Sequence, residues 1–180
     1  MTYHPIPGVQ RVIGLTGAAR HGKDAAAKLL LRLLPGAERF AFSDALSVEC
    51  RVHHGMTKRH PQLLQDVGMM WRDARPGVWL DALYGAICDR QPDIAVITGV
   101  RFQDEADLVR AIGGTLVRVV RLDSHGQPYV TDDRDPSHRA ERDIAALPVD
   151  AELVAQSGDL AGLAVQLRRL FITNEHAASA

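Results

Sequence analysis

The chain is short of cysteine, of net charge and of long apolar runs, and each shortage removes a class of protein. Its 2 cysteines, Cys50 and Cys88, have neither metal-ligand spacing nor the density of a secreted disulfide scaffold, so reduced thiols without a chemical role are expected. Lys and Arg number 21 against 22 Asp and Glu, and a formal net charge of −1 gives no bulk attraction to nucleic acid, although a local basic groove could still exist. No stretch of about 18 apolar residues occurs. Met1 to Gln10 holds no basic cluster ahead of an apolar run, so a cytoplasmic protein that does not enter a membrane is expected. Repeats and low-complexity tracts are absent, as is the Asn-Lys-x-Asp run that would specify guanine. What remains, 46% hydrophobic and 24% charged in 180 residues, suits one globular domain over 1–180 with a buried core, ending in a polar tail, Asn174 to Ala180, that is expected to fray.

Arg11 to Thr16 (RVIGLT) reads as a short strand, Gly17 to Gly22 as a glycine-bounded loop, and Ala25 to Leu34 as a helix stopped by Pro35-Gly36. Glu38 to Phe42 alternates as a second strand, and Ser43-Asp44 supplies a cap for a helix through Cys50. Between Pro61 and Arg90 the apolar spacing predicts two helices separated by Pro76-Gly77. Asp93 to Thr98 (DIAVIT) suits a strand buried on both faces, Gln103 to Ile112 a helix stopped by Gly113-Gly114, and Thr115 to Arg121 the next strand. The charged segment with Gly126, Pro128 and Pro136 reads as an exposed loop or flap over 122–140, before a strand near Glu152 to Ala155 and a helix from Leu160 to Phe171. Strands alternating with helices predict an α/β fold with a parallel sheet covered on both faces. Ligands then bind beyond the strand carboxyl ends, at the loops after Thr16, Phe42, Thr98 and Arg121.

Gly17-Ala18-Ala19-Arg20-His21-Gly22-Lys23 fits G-x-x-x-x-G-K, and it lies between a predicted strand and a predicted helix, as the mechanism of such a loop requires. Its backbone N–H groups would wrap a phosphate, the helix N-terminus would add partial positive charge, and Lys23 would reach the β and γ phosphates of a nucleotide. Asp24 and Ala25 complete the predicted ATP site. Where a Ser or Thr would bind Mg²⁺ stands Asp24, either a metal or metal-water ligand or an outward-turned helix cap. In His21 the backbone is expected to matter more than the ring.

Phosphoryl transfer needs cations on the spreading charge. Arg101, past the third strand, is the first candidate on the acceptor side or in the transition state, unless it is a surface arginine paired with Glu105 one helical turn on. Arg72 and Arg75 could reach an acceptor phosphate. Arg121, Arg134, Arg139 and Arg142 bracket the flap, where one could close over the phosphates, and His138 could bind phosphate or cap a helix. Met69 and Met70 are expected in the core, unless they make an acceptor pocket more apolar than usual, and Trp71 with Trp79 are expected in the core rather than as base-stacking platforms. His53, His54 and His60 have no paired spacing that supports a metal site.

With that loop, Phe42-Ser43-Asp44-Ala45-Leu46, Leu63-Leu64-Gln65-Asp66-Val67-Gly68, Val100-Arg101-Phe102-Gln103-Asp104-Glu105-Ala106-Asp107, Gly113-Gly114, His138-Arg139-Ala140-Glu141 and Gly158-Asp159-Leu160 resemble, in order, the phage-type deoxynucleoside monophosphate kinases. Phosphomevalonate kinases of the animal type are more distantly similar. The resemblance implies a P-loop nucleoside monophosphate kinase-like three-layer sandwich, with a mainly parallel five-stranded sheet, a helical acceptor region over 43–90 and a mobile lid. It also implies ATP with Mg²⁺, a deoxynucleoside monophosphate acceptor, a phage-infected cell as setting, and a possible homodimer. By position, Gly17, Gly22 and Lys23 would hold ATP phosphates; Asp44, Gln65, Arg101 and, in the same segment, Glu105 would face the acceptor; Glu141 would lie near the lid. The family has Thr where this chain has Ala25, an acid where it has Gly99, a Thr and an acid where it has Met69 and Met70, and a basic residue near Ser47. Without an acid at Gly99, the Mg²⁺ water would fall to Asp24, Asp44 or Asp104. These departures keep open another acceptor, such as a phosphorylated metabolite or a modified-base hydroxyl in phage DNA, and a nucleotide binder that has lost catalysis.

Overall fold

A computed structural model describes residues 2–130 and 144–172. Five strands, β1 (Arg11–Thr16), β2 (Ala37–Ala41), β3 (Ile94–Val100), β4 (Thr115–Leu122) and β5 (Ala151–Gln156), form one sheet in the order β2-β3-β1-β4-β5. Every pairing in it is parallel. Among the described residues the helices α1 (Lys23–Leu33), α2 (Phe42–His53), α3 (Pro61–Ala74), α4 (Val78–Arg90), α5 (Gln103–Ala111) and α6 (Leu160–Phe171) connect or flank them.

Alternation along the central strands explains why both faces are covered. Val12, Ala95, Ile97 and Leu116 enter one core with Leu83 and Ile87 of α4 and Leu108 and Val109 of α5. Their neighbours Ile13, Val96 and Val117 enter another, with Ala26, Ala27 and Leu30 of α1 and Leu163, Leu167 and Phe171 of α6. A smaller cluster of Cys50, Met56, Leu64 and Val67 joins α2 to α3. Both cysteines are free, and burial raises the pKa of the Cys50 thiol. No helix among the described residues is long and apolar enough to cross a membrane.

Several boundaries differ from expectation for identifiable reasons. Helix α1 begins at Lys23, not Ala25, because Gly22 (φ 91°) is its N-cap and accepts from the Ala26 N–H at 2.9 Å. Phe42 opens α2 rather than closing β2, and Asp44 caps that helix from its third position, accepting from the Ala41 N–H at 3.0 Å. Strand β3 runs on to Val100 through a bulge. Leu15 faces Thr98 and Thr16 faces Val100, leaving Gly99 as the extra residue at φ 78°. The glycine read as a missing acid is thus held by the backbone, since a side chain there would be strained.

The segment 122–130 folds back on β4 through a bridge between Leu122 and Pro128, with Asp123 Oδ1 accepting from the His125 and Gln127 N–H groups. At the sheet edge the Gln166 amide of α6 pairs with both the N–H and the C=O of Val154 in β5, which blunts that edge.

Candidate functional site

All five strands end on one side of the sheet, and the Gly17–Gly22 loop lies there between β1 and α1. Gly17 (φ 134°) is pressed against β4: a Cβ on it would lie 2.4 Å from the Val119 carbonyl oxygen. Arg20 takes a left-handed conformation (φ 60°), and Lys23 curls back so that Nζ donates to the Gly17 carbonyl at 2.7 Å and to Ala18 at 2.6 Å. No side chain caps α1, so the N–H groups of its first turn remain available to an anion. Below the loop, the buried Thr16 hydroxyl donates to the Val100 carbonyl at 2.8 Å and ties β1 to β3. Asp24 is exposed in the first turn and makes no hydrogen bond or ion pair among the described residues.

The His21 ring corrects the expectation placed on it. It is buried, and Nε2 donates to the Tyr129 carbonyl at 2.7 Å, so the ring fastens the loop to the returning segment after β4. There the Arg121 guanidinium lies 4.2 Å from the centre of the Tyr129 ring and donates from Nε to the Ser157 hydroxyl at 2.7 Å. Arg121 also lines a shallow recess with Gly22, Ala25, Val119, Ala155, Asp159 and Leu163, apolar on its floor and next to the phosphate loop.

A second hollow of about 420 Å³ opens between α3, the β3–α5 corner and the segment before β5, lined by Met69, Arg72, Phe102, Gln103, Asp104, Ala146 and Leu147. Of the predicted acceptor residues only Arg72 lines it. Its guanidinium sits 4.4 Å from the centre of the Phe102 ring, pairs with Asp104 through one terminal nitrogen, and reaches Glu105 Oε1 at 2.7 Å through the other. The Arg101 side chain is not the partner of Glu105 foreseen from helical spacing. Glu105 Oε2 instead accepts the Arg101 backbone N–H at 2.8 Å, and the carboxylate closes the start of α5. With Glu105 only 3% exposed, burial pushes its pKa up to about 7, against the Arg101 N–H and the Arg72 charge, which favour the ionised form.

Other predicted residues stand apart from the hollow. Arg75 pairs with Asp81 at 2.7 Å beyond the end of α3, and Asp44 is taken by Arg39 at 2.9 Å. Gln65 is exposed on α3 and outside the lining. The Ser47 hydroxyl donates back to the Ser43 carbonyl. Met70 and Trp71 are exposed rather than core; the Trp71 indole lies at the rim of the α2–α3 contact, its Nε1 donating to Glu49 Oε1 at 3.3 Å, whereas Trp79 is buried and donates to the Gly68 carbonyl at 3.0 Å. His60 caps α3 through Nδ1, and no group of three or more metal-ligating side chains occurs among the described residues. Arg134, His138, Arg139, Glu141 and Arg142 lie outside the described residues.

Sequence reading missed Tyr129, Phe102 and the part played by Arg118. That strand arginine donates to the Leu147 and Ala145 carbonyls at 2.6 and 3.2 Å while pairing with Glu152, and so sets one wall of the hollow. No local signal points to the stack on Phe102, since its arginine, Arg72, comes from α3.

No protein-family model matches the sequence, and no curated protein matches it. Solved structures do match. The tunicamycin resistance protein of Deinococcus radiodurans is 16% identical with a TM-score of 0.50, over 89% of this chain and 95% of that one. The shikimate kinase of Aquifex aeolicus VF5 is 15% identical, also with a TM-score of 0.50, over 93% of this chain and 98% of its own. Five parallel strands in the order 2-3-1-4-5, with the glycine-rich loop after the first, match the fold of this kinase.

Proposed function

We propose that this protein transfers the γ-phosphoryl group of ATP to a small acceptor seated in the Arg72 hollow, and that a deoxynucleoside monophosphate is that acceptor. The observation that carries the reading is the Gly17–Gly22 loop itself. Backbone N–H groups and Lys23 face the carboxyl edge of a parallel sheet, with a second hollow on the same edge for the phosphoryl acceptor. The deoxynucleotide rests on the motif resemblance, and the mixed lining of Met69, Phe102, Leu147 and Arg72 is consistent with a ring-bearing anion.

On this reading the apolar recess beside Ala25 and Leu163 takes the base of ATP. The loop holds the phosphates, and Lys23 exchanges its bonds to the Gly17 and Ala18 carbonyls for the β and γ oxygens. Magnesium fits the donor chemistry present: Asp24 offers an exposed carboxylate without a protein partner, and Mg²⁺ is commonly held by one or two carboxylates with substrate phosphates and water. When bound, that ion would neutralise charge that develops on the phosphates. Arg101, half-buried just past β3, would add positive charge as the phosphoryl group moves.

A coupled ADP-release assay with ATP and Mg²⁺ against dAMP, dCMP, dGMP, dTMP and phosphomevalonate tests this, with Lys23→Ala as control. Turnover that disappears in the control is the expected result; silence across the panel while ATP still binds would sink the mononucleotide reading. Gly99 favours the second reading, a nucleotide binder without turnover, because its positive φ leaves that strand end without an acid.

A further inference from the structure

Arg72 lines the hollow as its one cation among the described residues, and its two carboxylate partners are held very differently. The Glu105 side chain is 4% exposed and is fixed by Arg72 at 2.7 Å on one oxygen and by the Arg101 N–H at 2.8 Å on the other. The Asp104 side chain is 42% exposed, lines the hollow, and beyond Arg72 has only the Glu105 N–H at 2.9 Å on its Oδ1. Arg72 itself is 17% exposed with its guanidinium carbon 4.4 Å over the Phe102 ring, so its fork is held before anything binds. An ion pair with one exposed member exchanges readily with solvent anions, whereas its buried neighbour does not. The guanidinium is thus permanently anchored at one nitrogen and replaceably occupied at the other.

We propose that Asp104 stands in for an oxyanion of the acceptor: the incoming group takes the Arg72 nitrogen that Asp104 now occupies, Asp104 turns to solvent, and Glu105 stays. This rests on the reading of the hollow as the acceptor site and adds to it the chemical class, an acceptor bearing a phosphate-like oxyanion beside a ring. It also makes Asp104 a specificity-determining residue. A neutral hydroxyl-bearing acceptor cannot displace a carboxylate from arginine, so Asp104 excludes it. Asparagine can keep the Oδ1 cap on the Glu105 N–H while giving up the charge that competes for Arg72.

The test is a titration of the full chain with inorganic phosphate, followed through the backbone amide signals of Phe102 and Gln103 and compared with thymidine. Asp104→Asn should bind phosphate about tenfold more tightly than the parent at those signals, and Arg72→Gln at least about tenfold more weakly, since a charge-assisted bond is gained or lost. Thymidine should respond in neither. Equal or weaker phosphate binding by Asp104→Asn, or thymidine binding lost in that variant, overturns the inference and leaves Asp104 as a hydrogen-bond acceptor for substrate hydroxyls. Tripolyphosphate, read at the Gly22 and Lys23 amides, separates the two ideas. If it does not bind, the kinase reading fails whatever Asp104 does, and if it binds while Asp104→Asn changes nothing, the inference fails alone.

Discussion

The two sides of the carboxyl edge are built from different materials. Around the phosphate loop the functional groups are mostly backbone: uncapped N–H groups of α1, carbonyls gripping Lys23, and glycines where φ is positive. Around the Arg72 hollow they are side chains in an ion-pair network, Arg72 with Asp104 and Glu105, with Arg118 setting the wall. A backbone site tolerates nearly any side chain but not the loss of a glycine, whereas a side-chain site tolerates backbone variation but fails when one charge is left unpaired.

Breaking the backbone side should have the largest effect. Gly17→Ala puts a methyl carbon 2.4 Å from the Val119 oxygen at φ 134°, so β4 or the loop must move. We expect a loss of about 3 kcal/mol or more, or failure to fold, and no ATP binding in whatever folds, measured by urea unfolding and calorimetry.

That difference in material also decides what could be read from the residues alone. The loop was legible because its physics is local: glycines, a lysine and the flanking strand and helix all fall within Arg11 to Leu33. The sheet was legible because β3 and β4 alternate between two apolar cores. The Arg72 network was not, since helical spacing pointed Glu105 at Arg101 while its cation, Arg72, comes from another helix 33 residues away. Gly99 is the opposite case: the resemblance marked an absent acid, and the backbone puts a bulge at that position. Trp71 and Trp79 carry the same apolar signal, and only packing separates an exposed from a buried indole.

Breaking the side-chain side should cost nearly as much, but in a way that depends on pH. Arg72→Met removes the cation from Glu105, and leaving a buried carboxylate unpaired costs about 3–5 kcal/mol. The sign follows from Glu105 itself, raised from 4.5 to about 7 in the fold. Between those values the folded chain binds more protons than the unfolded one, so this group's contribution falls as pH rises from about 4.5 through 7. Removing Arg72, which favours the ionised form, moves the upper limit higher still. Chemical denaturation at pH 5 and pH 8 should therefore show a mild defect at the lower pH and the full one at the higher. An equal loss at both would mean that the Arg72 stem, not its charge, is what the fold needs.

The comparison is sharpest where the glycine-rich loop depends on a buried side chain. His21 is buried inside the loop and holds the Tyr129 carbonyl at 2.7 Å, and Tyr129 in turn lies on Arg121. If the loop is shaped by its backbone, His21→Ala should cost only the net value of one hydrogen bond and some packing, about 1–2 kcal/mol, and should weaken ATP binding by about fivefold. Binding of phosphate at the Arg72 hollow should not change, because no described contact of His21 or Tyr129 reaches α3 or α5. Parallel calorimetric titrations of ATP and phosphate distinguish the cases. A loss of ATP binding as complete as that expected for Gly17→Ala would show that the ring, rather than the glycines, sets the loop's shape, and the division between a backbone side and a side-chain side would no longer hold.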